Sequence, residues 1–234
     1  MFFSRLESCD RDRIDIYHWG DSQIEGDRIT GHLRSEMQER FGGRGPGWVL
    51  PRTPAPSFAT KQVLRGSIER SAGFGRRRDT SALRLPFLAI NKFTDSAIWR
   101  VNANPIGYRT NRQWTRSRIW SSAASAWSLM VRDSTHLITS RSTSGNEEEL
   151  WTWQHAGSAS GIELTGTSNA LLGAEFSTAH GVFVHNLPLR GGSGTLFDDV
   201  PAGDWKKLRE WTRPGLVILQ FGGNAVPSLS SVKS

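Results

Sequence analysis

The chain has 234 residues, of which 37% are hydrophobic and 22% charged, enough for one large domain or two small ones around a proper core. Twenty-nine Lys and Arg against twenty-two Asp and Glu give a net charge of +7, and the pI is near 10.3. A single cysteine, Cys9, excludes an intrachain disulfide and a cysteine-rich zinc site, and no run reaches the roughly 18–20 apolar residues of a membrane-spanning helix.

The segment from Met1 to Arg13 carries too many charges to read as a signal peptide. Ile14 and Tyr17 then mark a short strand that runs into Gly20-Asp21-Ser22. Downstream, Ile29, Leu33, Met37 and Phe41 recur every fourth residue and predict a helix with one apolar face. A serine at such a strand-turn-helix junction meets unpaired backbone N–H groups and the positive end of a helix dipole. That environment suits an alkoxide attacking a carbonyl and the oxyanion that follows. Asp and Ser are also the commonest helix-capping residues, so the tripeptide alone fits a plain cap as well.

The helix exits through Gly42-Gly43-Arg44-Gly45-Pro46-Gly47 and Pro51-Arg52-Thr53-Pro54-Ala55-Pro56, a natural boundary. Between positions 61 and 179 the pattern changes to short strands with polar turns. The strands are Ala97–Val101, Ala126–Val131, His136–Thr139, Glu149–Trp153, Gly161–Thr165 and Leu171–Phe176, a pattern predicting a β-sandwich. Most of the ten tryptophans fall here. Trp151 and Trp153 share one face of a strand and read as core or intersheet packing, so no sugar-binding residue is assigned from them.

From residue 180 the alternation of strand and helix returns. Gly181–Leu187 predicts a strand, Arg190-Gly191-Gly192-Ser193-Gly194 a turn, Asp204–Thr212 a helix and Leu216–Phe221 a nearly all-apolar strand that ends in Gly222-Gly223-Asn224. Strands alternating with helices imply a parallel sheet whose site lies at the carboxyl ends of the strands. The division predicted is therefore 13–60 and 180–234 as one α/β domain, with 61–179 inserted.

Tyr17-His18-Trp19-Gly20-Asp21-Ser22-Gln23-Ile24-Glu25-Gly26-Asp27-Arg28, together with Phe41 to Gly47, resembles the first block of the SGNH (GDSL-type) hydrolases. The likeness is to the bacterial envelope branch that includes peptidoglycan O-acetylesterases. Arg190 to Gly194 is similar to that family's glycine block, and Gly222-Gly223-Asn224 to its Gly-x-Asn block. The resemblance implies a flavodoxin-like parallel sheet with helices, interrupted by an all-β sandwich. It implies Ser22 as nucleophile, with the Ser22 N–H, the N–H of Gly191 (Gly192 being the alternative) and the Asn224 amide holding the oxyanion. The implied substrate is an O-acetylated envelope polysaccharide such as peptidoglycan, met outside the cytoplasm, with no metal or cofactor required.

The family's Asp-x-x-His block has no counterpart after Asn224, which leads to the expectation that the hydrolase domain is incomplete at its C-terminus and that its base lies elsewhere. His18 reads as a buried or hydrogen-bonded strand residue, His185 as interior to a strand, and His136, His155 and His180 fall in or beside the inserted region; none is assigned as base. A noncatalytic glycan-binding chain and an O-acetyltransferase using the same serine are the alternatives. The basic charge raises nucleic acid as a partner, but the cations are scattered apart from Arg76-Arg77-Arg78 and no nucleic-acid motif is present. An anionic envelope polymer fits the charge equally well.

Overall fold

The computed structural model describes residues 2–53, 55–122, 127–132, 149–166, 169–212 and 214–224. In chain order the elements are α1 (Phe2–Leu6), β1 (Arg13–Gly20), α2 (Arg28–Phe41), β2 (Gly47–Val49), β3 (Thr60–Ala72), β4 (Ala89–Ala103) and β5 (Trp114–Ser121). They continue with β6 (Trp127–Arg132), β7 (Glu149–Ala159), β8 (Gly161–Gly166), β9 (Asn169–Ser177), β10 (Gly181–Pro188), α3 (Ala202–Trp211) and β11 (Pro214–Gln220).

β1 is the centre of a parallel sheet ordered β10-β1-β11, and it pairs with β10 along its whole length, from Arg13↔Gly181 to Gly20↔Pro188. Because side chains alternate along a strand, β1 presents two chemically different faces. Ile14 and Ile16 join Val182 and Val184 of β10 in a core roofed by Leu33, Met37 and Phe41 of α2. Tyr17 and Trp19 point the other way, into a second core with Trp48, Trp120, Leu187 and the Trp205 and Trp211 rings of α3.

The expected α/β architecture needs correction. Only three described strands are parallel, whereas eight belong to one antiparallel sheet with the path β6-β8-β4-β9-β5-β7, β2 pairing with β9 and β3 with β4. The Tyr17 and Trp19 face is covered by a loop carrying Phe74, Leu83, Leu85 and Phe87, by α3 and by residues of the antiparallel sheet such as Trp48 and Trp120. Among the described residues the antiparallel strands form one sheet and not two separate sandwich sheets. The long strand β4 pairs along one edge with β3 and along the other first with β9 and then with β8, so hydrogen bonding continues round a curled sheet. Its interior holds Phe93, Trp99, Trp114, Ile119, Trp153 and Phe176. Trp153 is buried there with Trp151 packed against it edge-on at 5.8 Å, so this pair is core packing. The strand expected at His136–Thr139 lies outside the described residues.

α2 keeps Leu33, Met37 and Phe41 of its predicted face against the core, but not Ile29. Ile29 is exposed, and the positions most deeply buried are polar: Thr30, Arg34, Ser35 and Gln38. Arg34 explains this, since its guanidinium pairs with Asp27 and donates to the Val184 carbonyl at 2.9 Å and to Asn111 Oδ1 at 3.1 Å. The helix thereby fastens the parallel sheet to a turn of the antiparallel one.

The seam between the two sheets is ionic. Arg13 donates to both Asp15 oxygens, at 2.6 and 2.9 Å, and also reaches Glu175 on β9, which receives Arg118 Nε at 2.6 Å. His185 Nδ1 accepts the Trp48 backbone N–H at 3.3 Å, so Nε2 carries the proton donated to Asp15 at 2.7 Å. Burial opposes ionisation of both carboxylates, but Arg13 and the His185 hydrogen bond hold Asp15 well below the usual range. Arg118 and Arg13 bring Glu175 to about 2. Burial lowers the His185 pKa and takes that of His155 to about 4.

All four shifts act in one direction with pH. Each group binds its proton less readily in the folded state, so the unfolded chain takes up more protons on acidification and stability falls. The His155 contribution is complete above the ordinary value of 6.5 and is lost as pH falls toward about 4, and that of His185 is likewise lost as pH falls below 6.5. That of Glu175 is complete above 4.5 and is lost as pH falls toward about 2. Melting temperature measured from pH 8 to pH 3 is expected to hold steady, decline below about 6.5 and drop more steeply below about 4.5. A flat profile to pH 3 would contradict this assignment of the network.

Candidate active site

The three residues singled out in the sequence lie just beyond the carboxyl ends of three adjacent parallel strands. Ser22 is two residues past the end of β1, Gly191 three past β10 and Asn224 four past β11. Neighbouring strands are about 4.8 Å apart, so turns leaving them at one edge are held side by side. Backbone bonds carry the pairing past the strand ends: Leu189 N–H donates to Gly20 O at 2.7 Å, and Asp21 N–H to Gln220 O at 3.2 Å. Gly20 is required for the second of these, since a Cβ there would stand 2.9 Å from Gln220 O.

Ser22 is exposed and opens a 3₁₀ segment, Ser22–Asp27, whose preceding Asp21 side chain accepts Gln23 N–H at 2.9 Å. This corrects the expected helix entry. The backbone leaves helical geometry at Glu25 and Gly26, and α2 starts only at Arg28, so Ser22 sits on a single capped turn rather than at the N-terminus of a long helix. The dipole of α2 therefore acts weakly on it, because such effects fade within one turn. Backbone N–H and side-chain amide donors have to carry any oxyanion stabilisation.

Candidates for such donors lie on the flanking turns. Gly192 N–H is engaged by Leu189 O at 2.7 Å, and a Cβ on Gly192 would meet that carbonyl at 2.9 Å, so Gly192 builds the turn itself. Gly191 is exposed, with φ +74°, on the same turn. Asn224 Nδ2 donates to Gly192 O at 3.2 Å. A carbonyl only accepts, so this contact places the NH₂ end of the amide at the glycine turn and leaves its second hydrogen available. Since β10 and β11 lie on opposite sides of β1, the same bond reaches across the end of β1, where Ser22 stands.

Two further links are not evident from the sequence. Arg190, beside Gly191, grips Glu25 through its Nε at 2.7 and 3.0 Å and through Nη2, tying the glycine turn to the serine turn. The hydrogen bond and charge of Glu25 raise the Arg190 pKa. On the other flank, His18 Nε2 meets Gln220 Oε1 at 2.9 Å, and Gln220 Nε2 donates to Gln23 Oε1 at 3.1 Å. His18 is thus a hydrogen-bonded strand residue, its pKa lowered by burial against the opposing Gln220 hydrogen bond. Among the described residues no histidine is hydrogen-bonded to Ser22, and no group of three or more His, Cys, Asp or Glu is arranged to hold a metal. No described helix is long and apolar enough to cross a membrane.

No family model matches the sequence, and no curated protein matches it. Among solved structures, the family 32 carbohydrate-binding module of C. perfringens NanJ, solved with galactose, overlays at TM-score 0.31 and 9% identity, over 47% of this chain and 92% of that one. A mutant of a family 29 carbohydrate-binding module overlays at 0.34 and 9%, over 58% and 93%. Scores this low decide nothing about the fold. A peptidoglycan O-acetylesterase overlays at TM-score 0.69 and 19% identity, covering 96% of this chain. The chain spans 61% of that structure's length, and its fold is similar to the corresponding part of a peptidoglycan O-acetylesterase.

Proposed function

We propose that this chain carries the nucleophile and oxyanion hole of an SGNH-type serine esterase that removes O-acetyl groups from an envelope polysaccharide such as peptidoglycan, outside the cytoplasm. Residues 13–60 and 180–234 supply the catalytic part, and 61–179 is an inserted β module. The observation that carries this reading is the Asn224 amide donating to Gly192 across the end of the Ser22 strand.

In this mechanism the Ser22 Oγ attacks the acetyl carbon and its proton passes to a base. The carbonyl oxygen becomes an oxyanion received by the Ser22 N–H, the Gly191 N–H and the second Asn224 amide hydrogen. The sugar oxygen then leaves, taking a proton, and water releases acetate from the serine ester. His18 and His185 are committed to Gln220 and Asp15, so the base is assigned to neither.

Removing one oxyanion donor typically costs about 10²–10³ in kcat. In a complete enzyme, Asn224→Ala is expected to lose that much acetate release from O-acetylated peptidoglycan and from p-nitrophenyl acetate. An unchanged rate would remove Asn224 from the mechanism. Acetyl transfer to an acceptor sugar would mark a transferase, and binding without turnover a glycan-binding chain.

A further inference from the structure

The amino ends of the same three parallel strands frame a second site, remote from Ser22. A cleft of about 270 Å³ is lined by Arg11, Arg13, Arg116, Arg118 and His180, with Asp12 as its one acidic member. Behind it, three guanidiniums (Arg13, Arg116 and Arg118) face two buried carboxylates, Asp15 and Glu175. His185 adds no charge while it stays neutral, so the cluster holds one positive charge more than it neutralises.

The unbalanced member is Arg116. Arg13 and Arg118 contact Glu175 directly, but Arg116 approaches it only to 4.0 Å. Its other contact is a 3.4 Å donation to Ser177 Oγ, an atom that also accepts from Arg13 at 3.2 Å. Arg116 Nε is sealed from solvent without a hydrogen bond, although the side chain remains 15% exposed. Guanidinium has five N–H donors, so most of its capacity is unmet. Desolvation first, then repulsion from Arg13, brings the Arg116 pKa to about 10, as fits a cation short of counter-charge.

We propose that this cleft binds an oxyanion, a phosphate or carboxylate group, with Arg116 as its principal anchor and Arg11 and His180 at its mouth. Arginine suits the task because its planar fork matches both anions in two-point geometry. The site is separate from the proposed esterase centre, and its failure would leave the Ser22 reading untouched.

The test is thermal melting of the full chain against inorganic phosphate, and separately against glucuronate, at ionic strength held constant with chloride. Binding to the folded state raises Tm with the logarithm of ligand concentration, by about 3–5 °C per tenfold above Kd for a chain of this size. The anion whose response sets in at the lower concentration is the preferred group, phosphate or carboxylate. Arg116→Gln is expected to abolish the response while melting no lower than wild type without ligand, since it removes an uncompensated charge. Arg11→Gln, at an exposed position, is expected to weaken the response. Arg65→Gln, on β3 away from the cleft, should leave it intact. A wild-type chain indifferent to both anions, or an Arg116→Gln chain with the wild-type response, would overturn the proposal.

Discussion

Ser22→Ala is expected to abolish covalent acetylation of the chain by p-nitrophenyl acetate, read as the loss of one acetyl mass from the intact protein. In a complete serine hydrolase, removing the nucleophile costs about 10⁶ in kcat, and what survives is the roughly 10³–10⁴-fold advantage over water that the oxyanion hole and binding provide. Rate alone therefore separates nucleophile from bystander only where the whole machinery operates. The covalent readout does not depend on how quickly the acyl group leaves. Ser22 is exposed on a capped turn, with glycine and asparagine turns on either side, so its hydroxyl is accessible to an activated ester. An acetyl adduct that persists in Ser22→Ala would place the nucleophile elsewhere.

Glu175→Ala is expected to be the most destabilising single change at the sheet seam. The carboxylate is fully buried and receives Arg13 and Arg118, themselves only 7% and 5% exposed, with Arg116 close by. Its removal leaves the buried Arg13 and Arg118 guanidiniums and the half-buried Arg116 facing Asp15 alone. Breaking a buried pair by deleting one partner typically costs about 3–5 kcal/mol, because the remaining charge is uncompensated. For a chain of this length that corresponds to a Tm lower by roughly 6–20 °C. The contrast with Arg116→Gln isolates the cause, since deleting a cation from the same cluster relieves its excess charge. A Glu175→Ala chain melting within about 2 °C of wild type would show that Asp15 or solvent takes over the compensation.

Legibility from sequence follows how local the information is. β1, β10 and β11 are legible because their apolar runs are bounded by glycine, and the residues of the proposed centre because each follows such a run directly. β3 is not, since a long edge strand with many exposed polar positions shows no clean alternation. β5 escapes for a different reason. Arg116 and Arg118 look like loop residues until Glu175, 57 positions beyond Arg118, is seen to neutralise the latter inside the fold. The same holds for Arg34 on α2, a helix that is itself legible: its burial is accounted for by Asp27, Asn111 and the Val184 carbonyl, two of them far away in sequence. The expectation of a helical parallel sheet fails because period-two patterns show that strands exist, not which neighbours they choose. The long β4, paired along both edges, joins what would have been two sheets. The Glu25–Arg190 clamp leaves a faint trace, an acidic residue in the serine block and an arginine opening the glycine block, but only the fold brings them together.

A crystal structure of the chain reacted with an organophosphonate ester probe tests the central claim most directly. The account predicts phosphorus bonded to Ser22 Oγ, with the phosphoryl oxygen within hydrogen-bonding distance of the Ser22 and Gly191 backbone N–H groups and of Asn224 Nδ2. A probe bonded elsewhere, or a phosphoryl oxygen turned away from both Gly191 and Asn224, would contradict it.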